Sequence, residues 1–136
     1  MPYYAKPYRI PQSLRRTLKK EINWLVEEGV LSPIKSSLWA SPTFAIPKKD
    51  GTIRMVADFR AVNKNIERRP FPTPHIQEIM PAIGKFRYAT AIDLVMGYYS
   101  FELDEEAKQV CVIVLPWGLY RYNVLPMGLA ISSDVF

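Results

Sequence analysis

One carboxylate, Asp93, follows an apolar run and precedes a glycine and two tyrosines. The stretch reads Ala91-Ile92-Asp93-Leu94-Val95-Met96-Gly97-Tyr98-Tyr99. An unpaired charge is costly to bury, so an acid at the end of a hydrophobic strand usually has a partner group or a metal ion. Asp93 is therefore either a metal ligand or the cap of the turn that follows the strand, and these nine residues alone leave both open.

Three cations are predicted to lie together upstream of Asp93. Residues 43–46 and 53–59 predict the two strands of a hairpin, because the segment between them contains the strong turn signal Asp-Gly. Lys48 and Lys49 lie in that turn, and Arg54 lies near the start of the second strand. Such a cluster of Lys and Arg is a candidate cradle for a triphosphate or for a nucleic-acid backbone.

The elements before this hairpin are an arm, a helix and a linker. Residues 1–12 read as an extended arm because of their three prolines, and residues 30–42 as a linker. Ser13 is predicted to cap a helix that ends at Gly29, with apolar residues at three- and four-residue steps. Its basic opposite face is a candidate for phosphate contacts, although a solvated helix surface is the default interpretation.

The second half of the chain predicts a helix, a strand and a second hairpin. Residues 73–84 indicate a helix that Pro81 kinks or ends early. Residues 86–95 alternate as a strand that leads into Asp93. Residues 110–115 and 119–125 predict the second hairpin, and Ser132 or Ser133 could cap a final helix.

Composition indicates one globular domain with a polyanionic partner. The chain has 136 residues, 49% of them hydrophobic, and a formal net charge of +5. Residues 1–70 hold 14 Lys/Arg against 6 Asp/Glu, whereas residues 71–136 hold 4 against 7. A basic front half favours phosphate contacts, and a merely soluble basic surface is the alternative. Within this basic half, Asp58 and Arg60 are predicted to pair with each other or with neighbouring residues as structural support.

Three features that the sequence lacks favour an intracellular protein. The single cysteine, Cys111, cannot form an internal disulfide, which fits a reducing compartment. No apolar run approaches the roughly 20 residues that span a bilayer, so no membrane partner is expected. Residues 1–11 lack the apolar segment of a secretory signal.

Several blocks occur in the order found in a known family. The sequence resembles the N-terminal part of the reverse transcriptase (RNA-directed DNA polymerase) of a gypsy-type long-terminal-repeat retrotransposon, with retroviral enzymes as more distant relatives. The matching blocks are Ser41-Pro42, Lys48-Lys49-Asp50-Gly51, Arg54 with Asp58-Phe59-Arg60, Asn63-Lys64, Ile92-Asp93-Leu94 with Gly97-Tyr98, Leu125-Pro126-Met127-Gly128-Leu129, and Phe136. No block is specific by itself, but their common order over nearly the whole chain argues against coincidence.

The resemblance implies an α+β fold of the right-hand polymerase type, with β-hairpins and short helices. Residues 1–136 would form a partial reverse transcriptase domain. The fingers would comprise roughly residues 1–68 and 101–136, and the start of the palm roughly residues 69–100.

The same resemblance assigns catalytic roles. Asp93 would bind two Mg²⁺ ions, with the backbone carbonyl of Leu94 as a further ligand. In that family the two metals activate the primer 3′-hydroxyl and stabilise the leaving pyrophosphate. Lys48 and Arg54 would hold the triphosphate of the incoming deoxynucleotide. Tyr98 would lie under its sugar and exclude a 2′-hydroxyl.

Four further residues receive supporting roles. Met127 and Gly128 would line the nucleotide pocket, while Lys49 and Arg60 would contact nucleic acid. Met127 stands where retroviral enzymes have glutamine and many gypsy-type enzymes phenylalanine, so only a packing role is expected for it.

The resemblance also implies partners and an incomplete site. The expected partners are an RNA or DNA template with its primer, deoxynucleoside triphosphates, and the remaining polyprotein: the rest of the palm, the thumb, ribonuclease H and integrase. The expected location is a cytoplasmic particle or the nucleus. The family's second acidic block, Tyr-x-Asp-Asp, does not occur in this sequence. We therefore expect a fragment that is inactive alone.

Two other interpretations remain open from the sequence. The chain could be a non-catalytic nucleic-acid-binding module that keeps the basic fingers, or a degenerate transposon remnant without function. A pure binder, however, has no need of Asp93 and Tyr98 at a fixed five-residue step.

Overall fold

The computed structural model describes all residues from Met1 to Phe136. The helices are α1 (Gln12–Glu27), α2 (Arg60–Asn63), α3 (Ile76–Ile83), α4 (Glu105–Val110) and α5 (Ser132–Val135), with a 3₁₀ turn at Gly97–Ser100. The strands are β1 (Leu31–Ile34), β2 (Ser41–Pro47), β3 (Ile53–Ala57), β4 (Val112–Leu115) and β5 (Gly118–Tyr122). The fold is thus of the α+β class that the sequence predicts.

All five strands belong to one sheet of order β1-β5-β4-β2-β3. Its pairs are antiparallel except for β2 and β4, which run parallel and join the two hairpins. Helix α1 packs on the sheet through Leu18, Ile22 and Leu25, which are fully buried. These side chains follow three- and four-residue steps, so one face of α1 enters the core.

Both predicted hairpins are present, because each is encoded by its own turn. In the β2–β3 pair, Phe44 lies opposite Val56 and Ile46 opposite Arg54. The segment between β4 and β5 is only the turn before Gly118. Local turn chemistry therefore defines both registers.

The predicted cap and linker before the first hairpin need correction. Helix α1 begins at Gln12, one residue before the predicted cap Ser13, and Pro11 precedes it without any side-chain cap. The first N–H groups of a helix have no partner within the helix, so a proline, which lacks an N–H, is tolerated at this point. The predicted linker 30–42 contains strand β1, which pairs with β5 about ninety residues later in the sequence.

The predicted strand at residues 86–95 is wrong. These residues form no helix or strand, and their backbone N–H groups make no backbone hydrogen bond. A strand needs a neighbour for its ladder, and none of the five sheet strands pairs with this segment. Every residue from 67 to 96 is exposed, including those of helix α3.

Helix α3 differs from its prediction in its start rather than its end. It begins at Ile76, where the backbone N–H of His75 donates to Glu78 Oε2 at 3.3 Å. The helix does not end early at Pro81, which lies within its last turn; it continues to Ile83, and Gly84 follows as the predicted terminating residue. The longest helix, α1, has 16 residues and an amphipathic pattern, and neither it nor a shorter helix could span a bilayer.

Candidate functional site

A cavity of about 430 Å³ lies between the β2–β3 hairpin, helix α1 and the 3₁₀ turn. Its walls combine two cations, one carboxylate and a mainly apolar surface. The lining residues are Glu21, Leu25, Lys48, Ile53, Arg54, Met55, Met96, Gly97, Tyr98, Tyr99, Met127 and Phe136. The cavity therefore brings together four residues predicted to contact a nucleotide: Lys48, Arg54, Tyr98 and Met127.

The hairpin turn directs Lys48 into this cavity. The Lys48 N–H donates to the Thr52 carbonyl at 2.8 Å, and Gly51 returns an N–H to the Lys48 carbonyl at 3.2 Å. Asp50 Oδ1 accepts from the Thr52 hydroxyl at 2.6 Å and from its N–H at 2.9 Å, which lowers the pKa of Asp50. Gly51 has φ of +81°, a conformation that glycine adopts without a steric penalty.

Lys48 and Arg54 take part in none of the salt bridges in the structure. Glu21 is the one carboxylate that lines the same cavity, and it makes no ion pair with either cation. Two cations without bound carboxylates favour an anionic ligand, and a forked guanidinium is suited to phosphate oxygens. The charge and donor geometry of this wall are therefore suited to a phosphate group.

The opposite wall is aromatic and is shaped by a left-handed residue. Met96 has φ of +52° and ψ of +38°, which turns the chain into the 3₁₀ turn. The Tyr99 N–H then donates to the Met96 carbonyl at 2.9 Å. As a result, the half-buried ring of Tyr98 lies in the cavity wall.

Two hydrogen bonds of the Asn63 side chain, called here the Asn63 latch, hold the turn that carries Met127. Asn63 Nδ2 donates to the Gly128 carbonyl at 2.9 Å, and the Ala130 N–H donates to Asn63 Oδ1 at 2.8 Å. The Ser132 hydroxyl donates to the Pro126 carbonyl at 2.7 Å from a buried position. Gly128, at φ of +98°, lies in this turn but does not line the cavity.

Sequence reasoning gave no role to Asn63, Glu21 or Phe136 in this site. Asn63 and Phe136 stood within matching blocks, yet nothing local to either shows which turn or ring it contacts. Glu21 occupies an i, i+4 position relative to Leu25, so helical periodicity alone could have placed it beside the core.

The predicted nucleic-acid contacts lie outside the cavity. Lys49 is exposed at the hairpin turn. Arg60 Nε and Nη2 donate to the two carboxylate oxygens of Asp58 at 2.8 and 2.7 Å, which confirms the predicted pair. The Tyr8 hydroxyl donates to Asp58 Oδ2 at 3.1 Å, so the N-terminal arm joins this pair.

This pair changes the titration of Asp58. The hydrogen bonds from the Arg60 side chain, with smaller contributions from the Arg60 N–H and the Tyr8 hydroxyl, lower the pKa of Asp58 from 3.8 to about 2. The carboxylate in turn raises the pKa of Arg60. Arg60 is nevertheless 83% exposed at its side chain, so its remaining donors face solvent.

Asp93 and Leu94 are exposed and do not line the cavity. Nowhere in the chain do three or more His, Cys, Asp or Glu side chains gather into a possible metal site. A single carboxylate and one carbonyl are fewer hard oxygen ligands than a pair of Mg²⁺ ions requires. The residues of this chain therefore do not by themselves fit two metal ions.

Residues 46–136, more than half of the chain, match the family described as reverse transcriptase (RNA-dependent DNA polymerase). The chain is similar to the retrovirus-related Pol polyprotein from transposon 412 of Drosophila melanogaster, with 31% identity over 99% of this chain. It is 28% identical to the corresponding polyprotein from transposon gypsy of the same organism, also over 99% of this chain. The chain spans 11% and 14% of the length of these two relatives.

Solved structures show the same fold. The crystal structure of prototype foamy virus protease-reverse transcriptase superposes with a TM-score of 0.89 and 30% identity, over 99% of this chain and 18% of that one. A foamy viral protease-reverse transcriptase in complex with double-stranded DNA gives a TM-score of 0.88 and 26% identity, over 100% of this chain and 24% of that one.

Proposed function

Because the chain belongs to the reverse transcriptase (RNA-dependent DNA polymerase) family, we propose that its cavity binds the incoming deoxynucleotide of an RNA-directed DNA polymerase. The observation that carries this proposal is the meeting of Lys48, Arg54 and Tyr98 around one cavity. Lys48 and Arg54 bind the triphosphate. Tyr98 lies under the sugar, where its ring leaves no room for a 2′-hydroxyl, and Met127 packs beside it.

The remaining predicted residues complete this proposal. Gly128 shapes the turn that presents Met127, while Lys49 and Arg60 contact the template or primer. Support for a nucleic-acid partner comes from the basic first half of the chain and from the foamy viral relative, whose structure was obtained with double-stranded DNA. Residues 1–68 and 101–136 form the fingers, and residues 69–100 begin the palm.

Asp93, with the Leu94 carbonyl, contributes to the metal site in this proposal. In a complete polymerase, two Mg²⁺ ions would supply charge stabilisation for nucleotidyl transfer, and Asp93 would be one of their ligands. Residues 1–136 bring no three His, Cys, Asp or Glu side chains together into a possible metal site. We therefore expect that the 136-residue chain binds a deoxynucleotide but does not extend a primer.

The test is primer extension with two polypeptides. One is the 136-residue chain, and the other is the same chain continued by the following polymerase residues of the transposon 412 polyprotein. Only the longer polypeptide should form product, and Asp93→Asn should lower its rate at least about a hundredfold, because charge stabilisation by metal is lost. The control Glu106→Gln removes an exposed carboxylate that makes no hydrogen bond, and it should leave the rate unchanged.

The outcomes separate an enzyme from a binding module. An enzyme loses extension in Asp93→Asn while its affinity for a template–primer duplex stays within about twofold, since phosphate contacts dominate that affinity. Unchanged extension in Asp93→Asn would overturn the role of Asp93. Duplex binding without extension by any longer polypeptide would favour a non-catalytic nucleic-acid-binding module.

A further inference from the structure

Phe136 rests directly on the backbone of Gly97. A Cβ atom at position 97 would lie 2.5 Å from Phe136 Cε2 and 2.8 Å from its Cζ. Real Cβ atoms do not approach other atoms so closely, so only glycine allows the ring to occupy this position. Gly97 has an ordinary φ, and its need for glycine is therefore one of space rather than of backbone conformation.

The same ring contacts two other aromatic side chains. Phe136 and Tyr98 have centroids 5.1 Å apart at an interplanar angle of 77°, an edge-on arrangement. Phe136 and Phe101 are 6.1 Å apart at 74°. Aromatic pairs favour this geometry because the positive edge of one ring faces the negative face of the other. Phe136 is thus held between Gly97, Tyr98 and Phe101.

Phe136 is not a core residue, although it makes these contacts. The residue is 54% exposed and lines the cavity together with Tyr98. Burial alone therefore does not explain its position, and the ring contacts Tyr98, the tyrosine proposed to lie under the sugar.

We propose that Phe136, seated on Gly97, is a positioning residue that holds the Tyr98 ring in place and thereby sets the preference for deoxynucleotides over ribonucleotides. This inference rests on the proposed nucleotide site. The Met96 turn fixes the backbone before Tyr98, but the tyrosine ring can still rotate about its side-chain bonds. The edge of Phe136 removes that freedom, so the ring stays where a 2′-hydroxyl would collide with it.

The test compares binding of dATP and of ATP, each with Mg²⁺, to the 136-residue chain. The wild-type chain should bind dATP more tightly. In Phe136→Leu, which keeps an apolar side chain but removes the ring, the preference should fall about threefold or more through tighter ATP binding. Gly97→Ala should have the same effect by displacing the ring. Phe136→Tyr keeps the ring and should retain the preference, and the control Phe86→Leu alters an exposed phenylalanine outside the cavity.

A second readout follows the Tyr98 ring itself. With fluorinated tyrosine incorporated, the Tyr98 ¹⁹F resonance is assigned by its loss in Tyr98→Phe. Its chemical shift should change in Phe136→Leu and Gly97→Ala but not in Phe86→Leu, because the ring current of Phe136 is removed or moved. A variant that is merely less stable would bind both nucleotides more weakly by the same factor and leave the ratio of the two affinities unchanged.

The outcomes distinguish this inference from the proposed function. An unchanged dATP preference in Phe136→Leu, in a chain whose wild type discriminates, would overturn the inference and leave the nucleotide site standing. Binding of neither nucleotide by the wild type would count against the proposed site and against sugar selection. The ¹⁹F shift would then still show whether Phe136 fixes the Tyr98 ring.

Discussion

Lys48 and Arg54 face one cavity with no carboxylate bound to either of them. Arg60, at the start of helix α2, differs from them because its side chain donates two hydrogen bonds to the carboxylate of Asp58. Two cations without a bound carboxylate contribute most to binding free energy when a ligand brings the opposite charge and excludes water. The chemistry at the residue scale is therefore that of an anion site beside an aromatic wall.

The Asp58–Arg60–Tyr8 contact predicts a dependence of stability on pH. Because the pKa of Asp58 falls from 3.8 to about 2 on folding, its contribution is fully present above about pH 4 and is lost as the pH falls toward 2. Asp58→Asn should lower the urea midpoint of unfolding at pH 7 and reduce its decline between pH 4 and 2. Glu67→Gln, an exposed control without a hydrogen bond, should leave the decline unchanged. An equal decline in Asp58→Asn would contradict this assignment.

The Asn63 latch predicts a coupled loss of stability and binding. Asn63→Ala removes one hydrogen bond to Gly128 and one from Ala130. Unfolding in urea should show a loss of about 1–3 kcal/mol, since two hydrogen bonds worth about 0.5–1.5 kcal/mol each are removed. Affinity for dATP should also fall, because the turn that presents Met127 is released. Asn23→Ala, on the exposed face of α1, should change stability by no more than about 0.5 kcal/mol. Unaltered stability in Asn63→Ala would rule out the latch.

Single residues were predictable from sequence where their neighbours are local. Lys48 and Arg54 share one hairpin, so a turn signal and a period of two were enough to place them together. Phe136 contacts Gly97, which lies 39 positions away in the sequence. Asn63 contacts Gly128, which lies 65 positions away. Such contacts depend on tertiary packing, which no local pattern encodes.

Secondary-structure elements show the same division. Helix α1 and both hairpins followed from periodicity and turns, whereas β1 was missed because proline and serines resemble a linker. The strand predicted at residues 86–95 failed for the converse reason. Its alternation describes which residues could share a face, but a strand exists only where another strand accepts its hydrogen bonds.

The segment 85–95 should therefore exchange its amide hydrogens rapidly. None of these amides makes a backbone hydrogen bond, while those of strand β4 lie in the middle of the sheet and are buried. Hydrogen exchange followed by mass spectrometry should show peptides from 85–95 fully exchanged before peptides from Val112–Leu115 begin to exchange. Comparable protection of the two segments would show that residues 85–95 are paired in solution.

The molecule consists of a packed body and an exposed connection, residues 67–96. Helix α1 and the five-stranded sheet form the core, whereas residues 67–96 lie outside it and carry Asp93. Arg68 Nε donates to Asp134 Oδ2 at 2.8 Å, so the start of the connection is tied to helix α5 near Phe136. Most of the cavity thus belongs to the packed body, and only Met96, at the end of the exposed connection, also lines it. Nucleotide binding should therefore not require residues 67–95.

The most direct measurement is calorimetric titration of the 136-residue chain with dATP and Mg²⁺. Saturable binding should be seen, and Lys48→Ala and Arg54→Ala should each weaken it about tenfold, because each removes a charged hydrogen-bond donor to the triphosphate. Lys85→Ala, which removes an exposed cation outside the cavity, should have no such effect. Absence of saturable binding, or an equal loss in all three variants, would contradict the assignment of this cavity as the deoxynucleotide site.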